Sequence, residues 1–477
     1  MRSVLSVTSE CAPLVKTGGL ADVAGALPAA LAPQGWEMRT LLPGYPGVMA
    51  ALGRTRTIMT EDDLFGGPAR LLSATAGGLD LLVLEAPHLY DREGLPYTGP
   101  DGRDWPDNPE RFAALSWTAA RIAEEGAGDW APDVLHCHDW QAGLAPHYVA
   151  TRAKDPVPSV LTIHNIAFQG LAPASKLPAL RLSGSDFTEG GVEYWGQISA
   201  LKAGIVHAEK VTTVSPTYAR ELRTEEFGMG LQGVLRAREA DLSGILNGID
   251  MEAWNPATDQ NIRARYATPR GKARNKTALR REFGLPEADG PLAVVISRLT
   301  HQKGLDLLLE ALPAFVDRGG QLALLGSGDP DLERAFVAAA AGHSFVSVKF
   351  GYDEALSHRM IAGADAILVP SRFEPCGLTQ LYGLRYGTIP LVAYTGGLVD
   401  TVIDASPMAL RSGVATGLQF HPITSDALAS ALIRLVDLYR EPGTWSRMQK
   451  NAMRQPVGWD GSAAEYAALY KTVTSKT

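Results

Sequence analysis

Lys16-Thr17-Gly18-Gly19-Leu20-Ala21-Asp22 places a cation and two glycines beside each other. The segment follows Val4-Leu5-Ser6-Val7, an apolar run that reads as a buried strand. It precedes Leu20, Val23, Ala24, Leu27 and Leu31, which recur with helical spacing. A strand therefore turns into a helix at the glycines. Glycines admit a ligand close to the backbone. Open N–H groups at a helix N-terminus attract anions, and Lys16 adds a full positive charge. The chemistry is that of a phosphate site; the alternative is a tight turn with a solvated lysine. Thr395-Gly396-Gly397-Leu398-Val399-Asp400 repeats part of this pattern after another strand-like run.

Ligands of open α/β sheets bind beyond the carboxyl ends of the strands, and the remaining polar clusters lie there. Arg298-Leu299-Thr300-His301-Gln302-Lys303-Gly304 follows Val294–Ile296. Arg298 and Lys303 could converge on one anion and stabilise a departing diphosphate without a metal; elsewhere they would be ordinary surface cations. Glu374 lies in Ser371-Arg372-Phe373-Glu374-Pro375-Cys376-Gly377-Leu378-Thr379, where a loop would present it. Gly377 to Gln380 would open the next helix toward phosphate. Gly326-Ser327-Gly328-Asp329-Pro330-Asp331 lacks the third glycine of a dinucleotide fingerprint. Its D-x-D reads as a helix cap followed by proline, not as a metal site. His136-Cys137-His138-Asp139-Trp140 has an H-x-H but no further ligand at zinc spacing. Asp139 suits sugar hydroxyls, while Trp140 is either a pyranose platform or core. His164-Asn165 ends another strand, and Tyr97 is a carbohydrate contact or a loop anchor.

Positioning these groups requires alternating strands and helices. Strand-like runs fall at Val4–Val7, Arg39–Leu42, Leu79–Glu85, Val134–Cys137, Val160–Ile163 and Val211–Val214. A second series covers Leu292–Ile296, Leu322–Leu325, Val346–Phe350, Ala366–Val369 and Pro390–Ala393. The alternation predicts two doubly wound α/β domains with parallel sheets. The expected parts are 1–246, 247–456, and a terminal helix at 457–477 crossing back to the first domain. Ser462-x-x-Glu465 matches a capping box, and Tyr466, Leu469, Tyr470 and Val473 form an apolar stripe. Eight cations from Arg263 to Arg281 occur without an intervening acid and read as a solvated linker entering a helix. The 477 residues carry 45% hydrophobic residues and a net charge of −8. That composition suits globular α/β protein and argues against a nucleic-acid-binding face. Three cysteines without paired spacing fit a reducing cytoplasm. Neither a signal peptide nor a membrane-length apolar run is visible.

These motifs together resemble bacterial glycogen synthases and plant starch synthases. Lys16–Leu20, His138–Trp140, Thr162–Asn165, Asn247–Asp250, Arg298–Gly304, Glu374–Leu378 and Thr395–Leu398 stand in family order across essentially the whole chain. The resemblance implies a GT-B fold, two Rossmann-like domains facing across a deep cleft. It implies retaining transfer of glucose from ADP-glucose to the non-reducing 4-hydroxyl of glycogen or a malto-oligosaccharide. No cofactor, metal, nucleic acid or membrane partner is implied. Carried over, Glu374, His164, Arg298 and Lys303 resemble the catalytic group. Lys16, Gly18 and Gly19 resemble donor contacts, Thr379 a phosphate contact, and Asn165 a glucose contact. Tyr352 resembles an adenine-stacking ring, with Asp139 and Tyr97 on the acceptor side. Asp22, Asn247, Cys376, Gly377 and Leu378 complete the implied substrate-binding set. Tyr382 stands where many retaining GT-B enzymes carry a second acid, which favours a same-face substitution over a carboxylate nucleophile. The other readings are a UDP-glucose-dependent transferase and, in a different class, an inert glucan-binding scaffold.

Overall fold

The computed structural model describes residues 2–152 and 154–475. They form two compact units: the residues up to Asn247 with those from Trp459, and Gly248–Gly458.

The first unit is built on strands β1 (Arg2–Val7), β2 (Trp36–Pro43), β3 (Arg56–Glu61), β4 (Ala69–Ala76), β5 (Leu79–Glu85), β6 (Val134–His138) and β7 (Ser159–Ile163). Short strands β8 (Leu171–Pro173), β9 (Glu193–Tyr194) and β10 (Gln197–Ser199) follow, then β11 (Lys210–Thr213) and β12 (Leu242–Gly244). The main sheet has the order β12-β11-β7-β6-β1-β2-β5-β4-β3. Leu5 of β1 pairs in parallel with Arg39 on one side and Leu135 on the other. Val4, Leu5 and Val7 are fully buried, as a strand covered on both faces requires. The Gly19–Leu31 helix buries Leu20, Val23, Ala24, Leu27 and Leu31, the stripe read from spacing.

Three expectations need correction. The sheets are not wholly parallel: β3, β4 and β5 pair antiparallel at one edge. Strands β8, β10 and β9 also make a separate antiparallel sheet. Their alternating and Gly-interrupted segments give weaker signals than the buried central strands. Next, Ser462 does not cap the terminal helix, which spans Asp460–Thr474 with Trp459 at its N-cap. The Ser462 hydroxyl instead donates to the Leu246 carbonyl. Finally, the cation run is not wholly solvated. Lys272 is buried and donates to the carbonyls of Ile361, Ala362 and Tyr386. Burial lowers its pKa to about 7. Lys276 pairs with Asp365 at 2.6 Å, and Arg280 donates to Gln321 Oε1 at 2.8 Å.

The second unit contains β13 (Leu292–Ile296), β14 (Gln321–Gly326), β15 (Val346–Phe350), β16 (Ala366–Val369), β17 (Ile389–Ala393) and β18 (Leu418–Phe420). Their order is β15-β14-β13-β16-β17-β18, and every pair is parallel. The order reverses beside β13, the place where open α/β sheets bind ligands at their strand ends. In the first sheet the reversal lies beside β1. Among the described residues no helix is long and apolar enough to cross a membrane.

The terminal helix buries Tyr466, Tyr470 and Val473 against Val4, Val23, Leu27 and Trp36. Leu469 of the expected stripe is only partly buried there. Tyr470 meets Trp36 edge-on at 5.2 Å and its hydroxyl is 2.7 Å from His136 Nδ1. Tyr470→Ala is expected to cost about 3–5 kcal/mol through its cavity. Tyr470→Phe, which strands His136 Nδ1, costs about 1–3 kcal/mol. Urea unfolding followed by fluorescence measures both; equal costs would contradict the assigned packing.

Candidate active site

The expected site residues fall into two sets, one per unit. In the first unit most follow β1, β6 and β7, neighbours at the reversal of strand order, while Tyr97 comes after β5 and Asn247 after β12. Lys16, Thr17, Gly18 and Gly19 are exposed. Lys16 Nζ is 2.7 Å from Asp22 Oδ1, so the lysine is paired and not simply solvated. A Cβ on Gly18 would meet nothing within 4 Å, which leaves room above the loop.

Sequence reasoning missed the group that holds this loop. Glu10 is 2% exposed. Its Oε2 accepts from the Thr17 and Gly18 amides, the latter at 3.2 Å. Its Oε1 accepts from the Thr17 hydroxyl at 2.7 Å and from the Tyr97 hydroxyl. Two amides expected to face phosphate therefore face a carboxylate of the chain itself. Tyr97 is a loop anchor as well as a candidate contact: its hydroxyl is 2.8 Å from Ser9 Oγ. A signal existed, because Glu10 follows β1 as directly as Glu374 follows β16.

Asp139, at φ +53, turns out of β6. Its Oδ1 accepts from the amides of His164 and Asn165, at 2.6 and 3.3 Å. Burial raises its pKa to about 7, while the two amides and the nearby Glu10 act in opposite directions. His138 Nδ1 lies 3.0 Å from His164 Nε2, and His138 Nε2 lies 3.2 Å from Ser6 Oγ. Burial lowers the pKa of His138 to about 3 and of His136 and His164 well below the usual value. These rings are neutral, and one N–H is shared along the His138–His164 contact. Among the described residues no cluster fit to hold a metal occurs. Trp140 packs edge-on against Phe112 at 4.9 Å, and Gly170 leaves no room for a Cβ beside it. It is packing, not an open platform. Asn247, at the end of the first unit, is buried with an unpartnered Oδ1.

In the second unit Arg298 and Lys303 follow β13, and Glu374 follows β16, across the strand-order reversal. Arg298 is exposed. Lys303 Nζ is 2.6 Å from Glu374 Oε2, which also accepts from the Ser371 hydroxyl at 2.8 Å. Glu374 is 8% exposed. The two loops interlock: Arg372 N donates to Gln302 O, and its guanidinium grips Asp306 with two bonds of 2.7 Å. Gly377, at φ +71, turns the chain into the Thr379–Tyr386 helix, whose first turn has no side-chain cap. Cys376 is buried and Leu378 partly so; each offers backbone more readily than side chain. Tyr352 is 79% exposed at the end of β15, its hydroxyl donating to Glu354 at 2.9 Å. Asp329 caps its helix through the amides of Asp331 and Leu332.

The family model "Starch synthase catalytic domain" matches residues 3–237, and "Glycosyl transferases group 1" matches 275–455. A glycogen synthase of Paracoccus denitrificans is 64% identical over 475 residues, covering both chains fully. One from Jannaschia is 61% identical over 476 residues, again covering both fully. The chain belongs to the glycogen and starch synthase family. The catalytic domain of starch synthase IV from Arabidopsis thaliana, bound to ADP and acarbose, superposes with a TM-score of 0.89 at 33% identity, covering 99% of each chain. The two doubly wound units are those of a GT-B glycosyltransferase.

Within this family fold, the Thr395–Asp400 echo has a different task from its counterpart. Gly396 and Gly397 are buried, and added Cβ atoms would lie 2.0 Å from Glu374 O and 2.4 Å from Cys376 O. They pack the Glu374 loop, whereas Gly18 stays open. Tyr382 is not a carboxylate substitute: its ring stacks on Trp254 at 3.8 Å, and Trp254 stacks on His358 at 3.7 Å.

Asp139 sets a pH dependence. Its folded pKa of about 7 exceeds the ordinary 3.8, so the folded state favours the protonated acid. Its contribution to stability is present below 3.8 and is lost as pH rises toward 7. Asp139→Asn keeps an acceptor for the two amides and removes that loss. The variant's stability relative to wild type should rise between about pH 4 and pH 7, then level. Chemical unfolding across pH measures it; a flat difference would refute the assignment.

Proposed function

We propose that this glycosyltransferase moves glucose from ADP-glucose to the non-reducing 4-hydroxyl of an α-1,4-glucan, with retention, in the cytoplasm. The observation that carries the reading is the grouping of Arg298, Lys303, Glu374 and an uncapped helix start at one strand-order reversal. Arg298 and Lys303 hold the diphosphate, and Thr379 with its helix N-terminus receives a further phosphate oxygen. Tyr352 stacks on adenine. Lys16, Gly18 and Gly19 serve as donor contacts, with Asp22 orienting the lysine. His164 and Asn165 contact the transferred glucose, and Asp139 and Tyr97 lie toward the acceptor.

In the reaction the bond from the anomeric carbon to the diphosphate oxygen breaks, and negative charge develops on that oxygen. Arg298 and Lys303 stabilise it. Lys303 is already fixed by Glu374, so little reorganisation is needed when charge appears. The acceptor 4-hydroxyl attacks from the face the diphosphate leaves, and its proton passes to a leaving phosphate oxygen. Tyr382 leaves no second carboxylate in that position to form a glucosyl-enzyme. Two cations and helix N–H groups suffice for the diphosphate in this account, with no metal.

The deciding experiment compares ADP-glucose with UDP-glucose as donors to glycogen. Transfer from ADP-glucose with an α-1,4 product supports the reading; transfer only from UDP-glucose, or none, overturns it. Arg298→Ala or Lys303→Ala should each lower kcat about a hundredfold. Wild-type turnover in both would remove the clamp. Exhaustive chelation should leave activity nearly intact; loss restored by a divalent ion would contradict the metal-free account.

A further inference from the structure

Trp195 is a bulky aromatic at φ +49 with 80% of its surface exposed. With Gly196, at φ +79, it forms the two-residue turn joining β9 to β10. Such turns require positive φ at both positions and favour Asn-Gly. An aromatic there is a backbone outlier. Met229 is a second outlier, at φ +47 and 41% exposed.

The two are tied together. The Tyr194 hydroxyl donates to Met229 O at 2.6 Å, and Gln169 Nε2 donates to the same carbonyl at 2.9 Å. A Cβ on Gly230 would lie 3.2 Å from Trp195 Nε1. Phe168, next to Gln169, is 55% exposed, and its amide donates to Asn165 O at 3.2 Å. The Gln169 side chain thus ties the Tyr194–Met229 pair to the loop that begins at His164 and Asn165.

Large apolar side chains on a strained, well-tied backbone oppose both hydration and local preference. Strain of this kind collects at ligand contacts. Three exposed apolar side chains on these linked segments are far fewer than a protein interface, which takes about 20–30 residues a side. They do suit the apolar face of a pyranose, as amphipathic aromatic rings do. Exposed Gln197 and half-buried Glu193 and Gln169-bound Tyr194 supply polar neighbours for hydroxyls.

We propose that Phe168, Trp195 and Met229 form a platform for α-glucan beyond the residues that contact the transferred glucose. The proposal rests on the reading of a glucan as acceptor. The platform extends the hold on long chains and discriminates acceptors by length.

Trp195→Asn supplies the residue the turn favours, so folding stability should be kept or raised. The same substitution removes the ring. Retardation in glycogen-containing native gels should report a dissociation constant about fivefold higher. With ADP-glucose as donor, the ratio of kcat/KM on glycogen to that on maltotriose should fall by a similar factor. Phe168→Ala should shift both readouts in the same direction. Unchanged retardation would overturn the proposal, as would equal losses on glycogen and maltotriose. So would a wild-type dimer in sedimentation that Trp195→Asn turns into a monomer, since a second copy would then cover the patch. Gel retardation needs no transfer, so it stays readable even if the donor assignment fails.

Discussion

The backbone of Pro370–Cys376 is gripped from two sides by glycines that have no room for a side chain. A Cβ on Gly304 would stand 2.0 Å from Pro370 O, and one on Gly396 would stand 2.0 Å from Glu374 O. The loops after β13, β16 and β17 are therefore wedged together by backbone contact. That wedge fixes where Glu374 sits, and Glu374 fixes Lys303. Gly304, Gly377 and Gly396 lie at φ +64, +71 and +46, a region closed to most other residues. Sterics and dihedral demand thus select glycine at these points before any ligand enters the argument.

The first unit solves the same problem with charge. A buried carboxylate is stable only when hydrogen bonds replace its lost water. Glu10 meets that condition through two amides and two hydroxyls, drawn from the Lys16–Gly19 loop and from Tyr97. Asp139 meets it only in part: the amides of His164 and Asn165 bond it, yet burial still raises its pKa to about 7. Each acid orders a loop that would otherwise lack partners. The histidines nearby stay neutral because burial opposes a second set of charges. Both units use buried acids to hold polar groups at strand ends, and the second adds the glycine wedge that places Glu374.

Much of this was legible from the chain. Strand runs of apolar residues and the stripe of Gly19–Leu31 follow from burial, which sequence records directly as period and composition. Strand ends marked the neighbourhoods of Lys16, His164, Arg298 and Glu374 because parallel sheets gather those ends on one rim. The antiparallel edge was not legible, since half-exposed strands carry a weaker signal. Ser462 was misread because S-x-x-E describes a local cap, while Leu246 lies far away in sequence. Lys272 was misread because nothing local shows that three carbonyls from distant residues surround it.

The sequence by itself determined the central strands and the helix that follows the first of them, the strand-end placement of the polar clusters and the family. These depend on local period and short motifs. Only the tertiary structure decided which partner each polar group takes. Glu10 on the loop amides, Lys303 on Glu374 and the open Gly18 against the packed Gly396 arise from contacts across long sequence separations. The two glycine pairs read alike as letters. They differ because Gly18 has empty space above it, whereas Gly396 and Gly397 have their own chain.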